Sequence, residues 1–215
     1  MSARATMAEI DSVRMSIDEA AGRIVAMGRA AAAAGKGVQV SVQSAFGCGF
    51  EGAVPPERVL DLARRFLEAG LTTISLADTA GHANPSQVET LFGAVRALDD
   101  RLAMTCHFHD TYGMGLANAY AAFRAGVTSF ESAFGGLGGC PFTAVAAGNV
   151  CTEDLAHLLH RMGATTGVDV AADFLGPFPC RRHRPFRPAP EGHPALTPGM
   201  AVVQREGPAA PAVDA

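Results

Sequence analysis

The chain has 215 residues, 48% of them apolar, and a formal charge of −4, which suits one domain with its own core and lacks the basic excess of a nucleic-acid binder. No stretch approaches the roughly 18 consecutive apolar residues of a membrane span, and no basic segment leads into an apolar one at the N-terminus, so a cytoplasmic protein with no membrane partner is expected. Five cysteines, Cys48, Cys106, Cys140, Cys151 and Cys180, without CxxC spacing argue against a disulfide framework and a structural zinc site.

Regular elements follow one another closely from residue 16. The segment 16–35 has helical composition, with Ser16 placed to cap its start and Gly35 its end. The run VQVSVQSAF (38–46) alternates Val38, Val40 and Val42 with polar residues, the period of a strand, and the segment from Gly47 to Gly52 forms the turn beyond it. Residues 55–70 return to helical spacing, with Val59, Leu62, Phe66 and Leu67 on one face and proline in the first turn.

This strand–loop–helix unit recurs as TTISLADTAG with NPSQVETLFGAVRALD, and as LAMTCHFHDTYG with GLANAYAAFRAG. A fourth strand, VTSFESAF, runs into a glycine loop and the helix TEDLAHLLHRMG. Such alternation specifies a parallel sheet with helices outside it, and ligands bind such sheets at the ends of the strands. From about residue 173 the composition changes. Nine of the thirteen prolines lie between Pro177 and Pro211, which predicts a disordered tail.

Polar residues collect just past each strand. His107 and His109, two apart on a strand, face the same side while Phe108 and Cys106 face the other, so two imidazole nitrogens aim at one region. Such a pair is either a divalent-metal site or two hydrogen-bonded histidines. Cys140 stands among Gly135, Gly136, Gly138 and Gly139, a poor setting for a packing residue and a good one for a thiol that exchanges a proton. Asn149 either caps the following helix or turns its amide oxygen to a hard cation. Asp78, at the end of SLAD, either satisfies backbone donors of the turn or acts as a base.

Four segments together, GCGFEGAVPPE, ISLADTAGHANP, HFHDTYGMGLAN and GGLGGCPF followed by AAGN, resemble 3-hydroxy-3-methylglutaryl-CoA lyase of the DRE-TIM metallolyases. The resemblance runs from about residue 16 to residue 170. It implies an α/β fold, a TIM barrel with a pyruvate carboxyltransferase-like domain, holding Mg²⁺ or Mn²⁺. It also implies retro-Claisen cleavage of an acyl-CoA thioester, 3-hydroxy-3-methylglutaryl-CoA, to acetoacetate and acetyl-CoA, as in leucine degradation and ketone body formation. Carried over, His107, His109 and Asn149 match metal ligands, Cys140 matches the catalytic cysteine, and Asp78 and His107 match active-site residues.

The same resemblance marks departures. The family's first strand carries an arginine–aspartate–glycine segment that this chain lacks, and Glu131 stands where the family usually has aspartate. Four strand–helix units are counted against the eight of a barrel, and they match the last four. The expected organisation is therefore a connecting segment at 1–15, a partial TIM barrel at 16–173 and a proline-rich tail at 174–215. A homo-oligomer is one expected partner and the missing N-terminal half the other, supplied by another chain or lost from the recorded sequence by a late start codon. The alternatives are a lyase for another 3-hydroxyacyl-CoA such as citramalyl-CoA, and a half-barrel without catalysis.

Overall fold

The computed structural model describes residues 2–5, 15–139, 148–169 and 200–204. Cys140, and most of the expected connecting segment and tail, lie outside them. Within the described residues one six-stranded sheet runs in sequence order. Its strands are β1 (Ser2–Ala5), β2 (Gln39–Val42), β3 (Thr73–Asp78), β4 (Ala103–Phe108), β5 (Ser129–Ala133) and β6 (Met200–Gln204). β1 to β5 are parallel, and β6 pairs antiparallel with β5.

The four expected strands are β2 to β5. Two more appear where the sequence predicted a connection and a tail. Neither SARA nor MAVVQ carries a strong strand signal, but each meets an open edge of backbone donors and acceptors, to which even a short segment can pair.

Helices α1 (Ile17–Ala33), α2 (Pro56–Glu68), α3 (Pro85–Arg96), α4 (Gly115–Arg124) and α5 (Thr152–Arg161) fill the connections. Their starts are written locally. Ser16 accepts the Glu19 N–H at 3.2 Å, and Asn84 forms a reciprocal capping box with Gln87. Prolines occupy the first turns of α2 and α3, where no backbone donor is lost.

All five helices pack on one face of the sheet. Its outer rows, Val42–Leu76–Cys106–Phe130 and Val40–Ile74–Met104, join Ile24, Phe66, Phe92, Phe123 and Leu155 in a single apolar layer. Phe46 bridges Phe92 and Phe108 with ring centroids 6.1 and 5.8 Å away, the offset spacing that aromatic rings prefer.

The opposite face is polar, with one row of Ser41, Ser75, Thr105 and Ser129 and another of Ala77, His107 and Glu131. A doubly wound sheet would be apolar on both faces, so helices on one side and polar groups on the other identify the wall of a barrel. Curvature agrees. Gln39 of β2 and Glu131 of β5 lie three strands apart, about 14 Å in a flat sheet. Their side chains nonetheless meet at 2.8 Å, so the strands curl and tilt around the polar face.

Candidate active site

The strand period places His107 and His109 on the polar face at the C-terminal end of β4, with Phe108 in the core between them. Their rings lie 5.2 Å apart at the centroids, and the two Nε2 atoms share a hydrogen bond at 3.2 Å, one ring donating and the other accepting, which meets the hydrogen-bonded reading of the pair. Burial, and then the neighbouring His107, push the pKa of His109 down to about 4, so its ring is neutral at ordinary pH and offers a lone pair.

Asn149 joins them through the backbone, because His109 and Asn149 form an isolated antiparallel bridge and bridged residues project to the same side. It does not cap α5, which begins at Thr152 after Cys151. Its Nδ2 donates to the Leu137 carbonyl at 2.8 Å, which fixes the amide orientation and leaves the buried Oδ1 with no hydrogen bond. Nδ1 of both histidines is likewise buried without one.

These residues fit a divalent cation. Nitrogens 3.2 Å apart span two neighbouring ligand positions about 2.1 Å from one ion, and a buried amide oxygen without a donor is what a hard ion takes up. No group of three His, Cys, Asp or Glu side chains among the described residues converges on a metal. The constellation is two imidazoles and an amide.

Asp78 is placed differently. It pairs with Phe108 across the β3–β4 ladder and so starts from the opposite side of the sheet to His107. Its carboxylate is fully buried and accepts the backbone N–H groups of His82 at 2.8 Å and Ala83 at 3.0 Å. The turn-forming reading of this residue is the one its contacts describe. Burial dominates those hydrogen bonds and raises its pKa to about 6. Asp110, beside the histidines in sequence, accepts the Gly115 N–H at 2.7 Å at the start of α4. Cys106 points into the core, as its parity predicts, and burial drives its thiol pKa well upward.

Two arrangements are not apparent in the sequence. Glu131 Oε1 accepts from Gln39 Nε2, and Gln39 Oε1 accepts from Thr105 Oγ1 at 3.0 Å, so three strands share one chain of contacts beneath His107. The polar alternation of Gln39 and Ser41 was its visible signal, but the partners are set by curvature. The second ties down the root of the glycine loop. Glu153 accepts the Gly135 N–H at 3.0 and 3.1 Å and the Cys151 thiol at 2.8 Å. Gly135, Gly136 and Gly138 all have φ between 59° and 95°, so glycine there meets a left-handed backbone. Phe50, Tyr112, Phe134 and Leu137, each at least half exposed, stand on the loops beyond β2, β4 and β5 at this same edge.

The HMGL-like family model matches residues 3–173. A hydroxymethylglutaryl-CoA lyase from Pseudomonas mevalonii is 45% identical over 162 residues, 75% of this chain and 54% of that protein. An (R)-citramalyl-CoA lyase from Chloroflexus aurantiacus is 44% identical over 133 residues, 62% of this chain and 42% of that protein. The structure of an HMG-CoA lyase from Acinetobacter baumannii in complex with coenzyme A and 3-methylmalate superposes with a TM-score of 0.72 at 35% identity, covering 80% of this chain and 56% of that one. The chain thus spans about half the length of the relatives it matches. Polar barrel wall, paired histidines and glycine loop accord with that match, and the chain belongs to the HMGL-like family, with the fold of a partial TIM barrel.

Proposed function

We propose that this chain forms the metal-binding half of a carbon–carbon lyase that cleaves 3-hydroxy-3-methylglutaryl-CoA to acetoacetate and acetyl-CoA. The observation that carries the proposal is the convergence of His107 Nε2 and His109 Nε2 at 3.2 Å, beside an Asn149 Oδ1 that is buried and without a donor. A divalent cation bound there, Mg²⁺ or Mn²⁺, would polarise the tertiary hydroxyl of the substrate.

The chain's own residues supply the rest of the local arrangement. His107 and His109 sit on one rigid strand end with their Nε2 atoms sharing a single hydrogen, and Asn149 is held by Leu137, so a cation that displaces that hydrogen would meet donors needing little rearrangement. Loss of the hydroxyl proton breaks the adjacent carbon–carbon bond, giving a ketone and a thioester enolate, and the enolate must then take up a proton. Cys140 is assigned that transfer. Phe50, Tyr112 and Leu137 offer apolar contact for the non-reacting part of an acyl-CoA. Asp78, the acidic active-site residue of this reading, holds its turn through His82 and Ala83 and has a pKa raised to about 6, within the range of a base for the hydroxyl proton.

This reading places the protein in the cytoplasm, in leucine degradation and ketone body formation. It also assigns the remaining barrel half to a further polypeptide segment that carries the other strands. The test is an assay of the full chain with Mn²⁺ for acetoacetate and acetyl-CoA. Activity that falls by at least about 100-fold in His107→Ala and Cys140→Ser supports the proposal. Cleavage unaffected by His107→Ala overturns it. The 44% identity to a citramalyl-CoA lyase favours that thioester as the second reading, and faster turnover of citramalyl-CoA in the same assay would select it.

A further inference from the structure

Beneath the paired histidines, Glu131 occupies a position the proposed chemistry does not use. Its Oε1 accepts from Gln39 at 2.8 Å, while its Oε2 lies 3.2 Å from His107 Nδ1. That is the nitrogen on the far side of the ring from His109, so Glu131 stands behind the histidine rather than among the groups that converge on Asn149. The contact is within ion-pair distance but poorly aligned, and His107 Nδ1 is left buried without a hydrogen bond. A buried ring N–H without an acceptor is costly, and Glu131 Oε2 is the carboxylate oxygen within reach. Both side chains are close to nine-tenths buried, which strengthens any bond between them.

We propose that Glu131, braced by Gln39, is the positioning residue of the metal site: it takes the Nδ1–H of His107, fixes that tautomer and so keeps the Nε2 lone pair directed at the cation. Imidazole ligands require such a partner on their second nitrogen, which sets both ring orientation and basicity. Gln39 reaches Glu131 from β2, and Thr105 holds Gln39 from β4, so the ring's orientation is referred to three strands of the barrel wall. The length of a glutamate is what lets one carboxylate meet both Gln39 and His107.

The inference rests on the metal reading, and the experiment separates the two. Mn²⁺ affinity is measured on the full chain by the spectral signal of free Mn²⁺, alongside ¹⁵N NMR of the histidine side chains without metal, for wild type, His107→Ala, Glu131→Leu and Gln39→Leu. Glu131→Leu is expected to weaken Mn²⁺ binding about 10- to 100-fold and to move His107 from the Nδ1–H to the Nε2–H tautomer. Gln39→Leu should shift both in the same direction by less, and it carries the test if Glu131→Leu does not fold. Unchanged affinity and tautomer in the folded Glu131 or Gln39 variant overturn the proposal while leaving the metal site standing. Equal affinity of wild type and His107→Ala ends the metal reading instead, and the tautomer then still decides whether Glu131 holds His107.

Discussion

Asp78 shows how one carboxylate can be held ionisable by opposing forces. Two backbone N–H groups at 2.8 and 3.0 Å favour the charged form, but burial outweighs them and raises the pKa from 3.8 to about 6. A raised folded pKa means that the native state binds the proton more tightly than the unfolded chain. Its stabilising contribution is therefore complete below about pH 4 and is lost as pH rises through 6. Asp78→Asn removes that titration and turns an NH₂ toward one of the two backbone donors, at a cost of about 1–3 kcal/mol. Urea unfolding should show the stability advantage of the wild type over Asp78→Asn to be larger at pH 4 than at pH 7. A difference that grows from pH 4 to pH 7 would contradict this account. Sequence offered both roles for Asp78, turn and base. The positions of the His82 and Ala83 amides supply the turn role, and those depend on a turn after the strand.

Helix starts are where local chemistry was most legible. Ser16 and Asn84 make the caps that their residue types predict, and Asn84→Ala should lower stability by about 1 kcal/mol in a thermal melt. Gly115 obeys a different rule. A Cβ at this position would stand 2.6 Å from Val150 Cγ2 and 2.9 Å from Asp110 Oδ1, so the start of α4 lies directly against the segment that carries Asn149. Helix propensity alone would make Gly115→Ala stabilising by about 1 kcal/mol. The clash should reverse the sign and destabilise by about 1–3 kcal/mol, and calorimetry decides between the two. Nothing in GMGLAN announces that neighbour. Glu153 is similar: in the first turn of α5 it accepts from both the Cys151 thiol and the Gly135 N–H, which joins α5 to the root of the glycine loop.

At the scale of the whole molecule, an open sheet carries its polar face inward and its helices outward. β1 and β6 end the sheet among the described residues, and each leaves one side of its backbone unpaired within it. Unpaired strand edges recruit further strands, so light scattering on the purified chain should return a mass above the 22.2 kDa of one copy. Replacing Phe108, fully buried between the sheet and Phe46, with alanine should cost about 3–5 kcal/mol and lower the melting temperature without altering the polar wall directly.

The sequence by itself determined the order of strands β2 to β5 and of the helices, the caps, the side of β4 on which His107 and His109 lie, and the family to which the motifs belong. These depend on periods of 2 and 3.6 residues and on short-range backbone chemistry, which act over a few neighbours. Tertiary structure decided what meets across the barrel wall. Gln39 and Glu131, 92 positions apart, touch because the sheet curls. Asn149 stands beside His109 because a single backbone bridge joins their segments, and Asp78 turns to its own loop. Those contacts follow from strand tilt and register summed over several strands, quantities that no local stretch of residues encodes.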